Sequence, residues 1–93
     1  MLFRSDLGLI VAIASSLKNL PVEPDTLFLG EVGLTGEVRS ISRAEERLRE
    51  AAAMGFSRCY IPERNAAQIK EKIKGITLMP VRKVNDVIQG LFA

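Results

Sequence analysis

The sequence predicts a single α/β domain, and three observations lead to that prediction. A chain of 93 residues is long enough for one small core and too short for two domains. Strand-like and helix-like stretches alternate through its second half, which favours parallel strands joined by crossover helices. Glycine-rich turn chemistry at residues 33–36 separates two short strand-like stretches and therefore predicts a hairpin.

The first helix is predicted over residues 7–17, after Asp6 as its N-cap. Nearly every face of this helix is apolar up to Ser15, so we expect other parts of the protein to cover it on several sides. Pro21 and Pro24 then interrupt the chain.

The hairpin follows these prolines. A strand is predicted over residues 26–32, where β-branched and aromatic side chains are frequent. The turn at 33–36 leads into a return strand over 37–41, whose alternation of polar and apolar residues is typical of a half-buried strand. Because Gly30, Gly33 and Gly36 lie between strands and not ahead of a helix, we assign them to turns and not to a phosphate loop.

The second helix is predicted to begin at a capping box. Ser42 and Glu45 have the Ser-x-x-Glu spacing in which each side chain bonds the backbone N–H of the other residue. Glu45 also precedes Arg49 by four residues, which favours an ion pair on the helix surface. Gly55 is expected to end the helix in a left-handed conformation. The predicted buried stripe consists of Ala44, Leu48, Ala51 and Ala52.

The second half of the chain alternates strands and helices. We predict a strand over 58–61, a helix from Pro62 to about residue 73 that Gly75 stops, a strand over 76–81 and a final helix over 84–92. The apolar face of this final helix consists of Val84, Val87, Ile88, Leu91 and Phe92.

Composition narrows the class of protein. The chain is 47% hydrophobic and 26% charged, as in ordinary globular proteins. Its net charge of +2 permits nucleic-acid binding without demonstrating it. The longest apolar run, residues 7–14, is much shorter than a membrane span, and no secretory signal precedes it. We therefore expect a cytoplasmic protein without a membrane partner.

Few residues in this sequence suit catalysis or metal binding. The chain has one cysteine and no histidine, which excludes an internal disulfide and the commonest general base. Cys59 lies in a strand-like run and is predicted to be a buried, small apolar residue. No Walker loop, zinc-type cysteine pair or nucleophile elbow is present. Arg64 and the lysines that follow it are typical of a solvated helix end.

Residues 6–65, DLGLIVAIASSLKNLPVEPDTLFLGEVGLTGEVRSISRAEERLREAAAMGFSRCYIPERN, carry a resemblance that extends over nearly the whole chain. The first helix, the P-V-x-x-D connection, the G-E-V-G-L-T-G-E-V-R hairpin and the I-S-R-x-E-x-R-L-x-E-A helix follow, in order, the pattern of the Lon-like C-terminal domain of the RadA (Sms) family of bacterial DNA repair proteins. The sequence is similar, more distantly, to the proteolytic domain of Lon.

This resemblance implies a two-layer Lon protease-like fold, similar to the second domain of ribosomal protein S5, with residues 1–93 as a single domain. Such domains have strands ahead of the first helix, whereas only five residues precede it here. The ATPase core and the zinc-binding segment of the family also lack counterparts in this sequence. We therefore expect an N-terminally truncated domain from the C-terminal part of a larger RadA-type protein.

Lon-type proteases use a Ser-Lys dyad, and the resemblance assigns its positions here to Arg4 and Glu45. A glutamate cannot replace the lysine as a base toward serine unless the site is rebuilt. Ser5 could supply a nucleophile in a shifted register, but the lysine would still be missing. We therefore expect no catalytic residue and no enzymatic activity in this chain, and we interpret Glu45 as a helix cap.

The resemblance implies a non-proteolytic scaffold in a ring-forming, DNA-stimulated ATPase of DNA repair and recombination. No metal or cofactor is expected in this chain, because ATP, magnesium and zinc would belong to other domains of the larger protein. Several basic residues are candidate DNA contacts. For each of them taken singly, an ordinary solvated or ion-paired position on the surface explains the charge as well as DNA binding does. These candidates are Arg39, Arg43, Arg47, Lys70, Lys72 and Lys74.

Two other functions stay open at this point, a Lon-type Ser-Lys peptidase and a stand-alone oligomerisation module. We also expect a homo-oligomer that forms through the exposed sheet edge or the first helix, because an apolar helix without cover favours association. The residues that motivate this expectation are Leu7, Leu9, Ile10, Val11 and Ile13.

Overall fold

The protein is described by a computed structural model that covers residues 2–3, 6–69 and 73–92. Its elements are, in chain order, β1 (Leu2–Phe3), α1 (Asp6–Lys18), β2 (Thr26–Phe28), β3 (Glu31–Val32), β4 (Val38–Arg39), α2 (Ala44–Ala53), β5 (Arg58–Pro62), α3 (Glu63–Gln68), β6 (Thr77–Val81) and α4 (Val84–Phe92). Strands β1, β2, β5 and β6 form one parallel sheet in that order, and β3 and β4 form an antiparallel hairpin. The predicted α/β class, parallel pairing and hairpin are confirmed.

Helices cover both faces of the parallel sheet. Successive residues of a strand point to opposite faces, and the core accordingly divides into two clusters. In β5, Cys59 and Ile61 belong to the cluster that includes α2, whereas Tyr60 belongs to the cluster that includes α1 and α4. The predicted two-layer arrangement is therefore wrong for the described residues, which form three layers. Similarity to the S5 domain stays a prediction.

The face of the sheet that packs against α2 and α3, here the α2/α3 face, has a tightly buried core. Leu48 and Ile61 are fully buried in it. Cys59 is also fully buried, as predicted, and desolvation raises the pKa of its thiol to about 12. Asn65 of α3 is 3% exposed, and its amide donates to the Ile41 carbonyl at 2.9 Å and accepts from the Ile41 N–H at 2.8 Å. These two bonds join α3 to the segment that leads into α2.

The opposite face, here the α1/α4 face, contains a stacked pair of aromatic rings. The rings of Phe28 and Tyr60 lie with centroids 5.4 Å apart and an interplanar angle of 7°. Leu7 and Val11 of α1 and Val87 of α4 complete the fully buried part of this cluster. Helix α4 has the predicted bounds, residues 84–92.

Helix α1 packs against the sheet along one stripe. Leu7, Gly8 and Val11 are buried, whereas Leu9 is 57%, Ile13 52% and Leu17 83% exposed. The expectation that this helix is covered on several sides is therefore met only in part: α1 contacts the parallel sheet, β3 of the hairpin and α4, whereas its outer side is exposed. Within the described ranges, no helix combines the length and apolar character needed to cross a membrane.

The strand predicted over 26–32 is two strands that belong to different sheets. The chain leaves the parallel sheet after Phe28 and enters the hairpin at Glu31. Gly30 makes this change of direction with a φ of +148°, and a Cβ atom there would lie 2.7 Å from Cγ1 of Val38. Only glycine fits this position without displacing Val38.

The predicted capping box at Ser42 is wrong. Helix α2 begins at Ala44, and Arg43 is its N-cap in a left-handed conformation with a φ of 58° and without a side-chain cap. Ser42 therefore stands one position too early to bond the first turn. At the other end of α2, Gly55 has a φ of +96°, as predicted.

Helix α3 is shorter than predicted. It ends at Gln68, and Ile69 has extended backbone angles. Gly75 has a φ of +90° in the turn before β6, so it belongs to that turn and not to the end of α3. Strand β6 follows, and its Pro80 lies opposite Ile61.

Candidate nucleic-acid interface

Of the two positions that correspond to the Lon dyad, the structure describes only Glu45. Arg4 lies outside the described residues, as does Ser5. Glu45 lies in the first turn of α2 with about half of its side chain exposed, and its carboxylate is 3.6 Å from the Arg49 guanidinium. The predicted pairing along the helix is therefore confirmed, although Glu45 does not cap the helix.

Two predicted DNA contacts lie on the outer surface of α2. Arg43 and Arg47 line a shallow depression of about 500 Å³ together with Glu46 and Glu50. The Arg43 Nε atom lies 3.3 Å from Glu46 Oε2. Two arginines and two glutamates leave this depression without net charge, which weakens it as a surface for phosphates.

Arg39 belongs to a second and larger cavity. This cavity measures about 810 Å³ and contains three guanidinium groups and two carboxylates; we call it the arginine groove. Its polar lining residues are Glu31, Arg39, Ser40, Glu63, Arg64 and Arg82.

Parallel strand register brings the arginine groove together. Glu63 and Arg64 directly follow β5, and Arg82 directly follows β6, so both sets stand at the carboxyl ends of paired strands. The hairpin joins them because the Val38 N–H donates to the Arg82 carbonyl at 2.7 Å. Ligands of parallel sheets commonly bind at this edge.

Ion pairs occupy part of the groove. Arg82 Nε lies 3.0 Å from Glu63 Oε2, and Arg39 Nη2 lies 3.0 Å from Glu37 Oε1. Arg64 is exposed and has no ion-pair partner among the residues that the structure describes. Among the described side chains of this lining, Arg64 is therefore the one guanidinium without an ion pair, and Glu31 is a carboxylate without one.

The carboxylate of Glu37 organises the adjacent hairpin turn. The Thr35 hydroxyl donates to this carboxylate. This bond, backbone N–H donation and the Arg39 guanidinium together lower the pKa of Glu37 to about 2, and the bond from Thr35 has the largest effect. The turn is therefore held by a charged network, while Leu34 at its tip is fully exposed.

Lys74, a further predicted contact, lines neither the arginine groove nor the depression on α2. Lys74 lies in the exposed turn before β6, and Lys70 and Lys72 lie outside the described residues. Sequence reasoning placed Arg64 on a solvated helix end and did not single out Arg82. A signal was present, since both arginines come within three residues of the ends of strands predicted to pair in parallel.

Comparison with known proteins places the chain in a family. The Lon protease (S16) C-terminal proteolytic domain matches residues 5–93. DNA repair protein RadA of Streptococcus pyogenes serotype M3 is 46% identical over 88 residues, which cover 95% of this chain and 19% of the relative. RadA of Bacillus subtilis strain 168 is 45% identical over 84 residues, which cover 90% and 18%. RadA of Pseudomonas aeruginosa is 43% identical over 88 residues, which cover 95% and 19%.

The chain thus spans about a fifth of the length of these curated relatives. The match to the Lon domain extends over nearly all of the chain, and the similarity to RadA covers at least nine tenths of it. The predicted resemblance to RadA-type proteins is therefore confirmed, and the chain belongs to the family of Lon protease C-terminal proteolytic domains.

Proposed function

We propose that this chain is a non-proteolytic Lon-type domain of a RadA-type DNA repair and recombination ATPase, and that it contributes to DNA binding and ring assembly. The observation that carries the non-proteolytic part is the environment of Glu45. The resemblance places this residue where Lon-type proteases have their lysine, and its carboxylate is exposed and paired with Arg49. Such a carboxylate is a poor base toward a serine hydroxyl.

The DNA-binding part of the proposal rests on the relatives and on exposed arginines. The relatives are named DNA repair proteins. Arg39 contributes a cation to the arginine groove, and Arg43 and Arg47 contribute two to the surface of α2. ATP, magnesium and zinc would be bound by other parts of the larger protein. Its place of action would be the cytoplasm, where bacterial DNA lies.

DNA binding is tested by the fluorescence anisotropy of labelled duplex and single strands at several salt concentrations. We expect affinity to fall steeply with salt, since each neutralised phosphate adds about 0.9 to the slope of log K against log salt for duplex DNA. The double variant Arg43→Ala/Arg47→Ala should bind more weakly than Arg49→Ala, its control on the same helix. Binding that is absent or indifferent to salt would overturn this part.

The loss of peptidase activity has its own test. We expect the chain to leave an unfolded protein substrate intact over hours at neutral pH. Hydrolysis that Ser5→Ala abolishes would instead establish the peptidase. Hydrolysis that survives Ser5→Ala would point to another nucleophile or to contamination, and a repeat after further purification separates these two.

Ring assembly, or a stand-alone oligomerisation role, is favoured by the outer side of α1. Leu9, Ile13 and Leu17 follow one another at intervals of four, so they share one side of the helix, and all three are exposed. Contact with a second copy of the chain would remove this apolar surface from water. Sedimentation at high micromolar concentration should show oligomers, and a purely monomeric profile would contradict self-association.

A further inference from the structure

Three separate segments of the chain contribute arginines to the arginine groove. Arg39 comes from β4, Arg64 from α3 and Arg82 from the residue after β6. The fold alone brings them to one cavity, because they are far apart along the chain. A cavity of about 810 Å³ has the size of known small-ligand sites, and it lies at the carboxyl ends of β5 and β6, where parallel sheets bind ligands.

The ion pairs of the groove leave guanidinium donors available. The shortest contact of Arg82 with Glu63 is made by its Nε atom, at 3.0 Å from Oε2. Arg39 directs Nε and Nη2 toward Glu37. Since arginine has five N–H donors, both residues can keep their carboxylate partners and still donate to a ligand, while Arg64 has its whole guanidinium free of described ion pairs.

The chemistry of these donors selects an anion with several oxygens. Guanidinium groups match the geometry of phosphate through paired N–H donors, and the Ser40 hydroxyl in the lining adds a further polar group. We propose that the arginine groove binds phosphate groups and that in the DNA-bound protein these belong to the phosphodiester backbone. The choice of DNA as their source rests on the proposed function.

The test compares matched arginine variants of the full chain. Arg64→Ala and Arg82→Ala each remove a groove cation from an exposed position. Arg58→Ala is the control, because Arg58 is also exposed but stands at the amino end of β5, at the opposite edge of the sheet. Anisotropy measures binding to a short duplex, and NMR of the arginine Nε–Hε signals measures binding of pyrophosphate.

We expect each groove variant to weaken duplex binding about tenfold, the usual effect of losing a charge-assisted hydrogen bond. Each should also lower the salt slope by about 0.9, whereas Arg58→Ala should stay near the wild type. Pyrophosphate should shift the Arg64 and Arg82 signals. The inference is overturned if the groove variants bind DNA as the control does and pyrophosphate leaves these signals unmoved.

The remaining outcomes separate the site from the source of its phosphate. If the wild type binds no DNA but pyrophosphate shifts the groove signals, the phosphate site stands and the proposed DNA function fails. If DNA binds equally to groove variants and control while pyrophosphate shifts the signals, the site takes a small phosphate and its assignment to the DNA backbone is overturned. If neither binds, both proposals fail.

Discussion

Both faces of the parallel sheet are buried under helices, but the outer surfaces of these helices differ in polarity. On the α2/α3 face, the outer surface of α2 has paired charges, Arg43 with Glu46 and Arg49 with Glu45. On the α1/α4 face, the outer surface of α1 exposes Leu9, Ile13 and Leu17. A helix that is apolar on its inner and outer sides is typical of one that lies between two layers. The outer surface of α2 therefore presents charged groups to water, whereas that of α1 presents apolar side chains, on which the proposed self-association rests.

The largest expected effect concerns the inner side of the α1/α4 face. Phe28→Ala removes a fully buried ring and its stacking with Tyr60, and we expect the free energy of unfolding to fall by about 4 kcal/mol. Leu48→Ala on the opposite face should cost about 3 kcal/mol. Urea denaturation measures both. A loss below about 1 kcal/mol for Phe28→Ala alone would show that the α1/α4 core is not formed as described.

The second prediction addresses the polar link within the α2/α3 face. Asn65→Ala removes both bonds to the Ile41 backbone, and the unsatisfied groups should lower the free energy of unfolding by about 2 kcal/mol. Asn65→Asp keeps the acceptor for the Ile41 N–H but buries a carboxylate whose second oxygen faces the Ile41 carbonyl, so we expect a loss at least as large as that of Asn65→Ala at neutral pH. Equal stability of wild type and Asn65→Ala would contradict the link between α3 and the start of α2.

A smaller effect is expected from the hairpin, whose Val32 and Val38 pack against the α1/α4 cluster. The pKa of Glu37 in the folded protein is about 2, below its ordinary value of 4.5. Its carboxylate therefore stabilises the fold above pH 4.5, and this contribution is lost as the pH falls from 4.5 through about 2.

Acid titration followed by circular dichroism should accordingly show a flatter stability profile in this window for Glu37→Gln than for the wild type. Glu31→Gln is the matched control. It removes another carboxylate of the same hairpin and leaves the bonds of Glu37 with Thr35 and Arg39 in place. Identical profiles for wild type and Glu37→Gln would contradict the charged network in the turn.

The smallest effect on stability is expected on the outer side of α1. Leu17→Glu should change the free energy of unfolding by no more than about 0.5 kcal/mol, because Leu17 is largely exposed. Its effect should appear in sedimentation instead, as a loss of oligomers. Leu34→Glu at the hairpin tip is the control for an exposed leucine elsewhere. If both variants associate as the wild type does, the outer side of α1 is not the contact.

Local patterns predicted the elements whose boundaries depend on nearby residues. Short stretches of sequence were enough to predict the periodicity of α4, the turn at 33–36 and the left-handed conformation of Gly55. The structure confirms all three. The start of α2 was wrong because the turn at Arg43 replaces the cap that Ser42 suggested. The end of α3 was wrong because apolar periodicity continues past Gln68 although the backbone becomes extended at Ile69.

The candidate site was harder to predict from the sequence than these elements, because its residues come together only in the folded chain. Arg39 was among the DNA contacts predicted from the sequence, but the sequence could not show that the hairpin would bring this residue beside Arg64 and Arg82. The pairing of β5 with β6 brings Arg64 and Arg82 to the same edge of the sheet, and the register of these strands becomes known only from the fold. Exposure of Leu9 and Ile13 likewise depends on which side of α1 contacts the sheet.

Pro80 has a consequence for how the sheet can grow. Strand β6 ends the described sheet on one side, and an open strand edge is a template on which other chains can add strands and aggregate. Proline lacks the N–H that such an added strand would need at this position. The residue therefore opposes amyloid-like extension of the sheet at this edge.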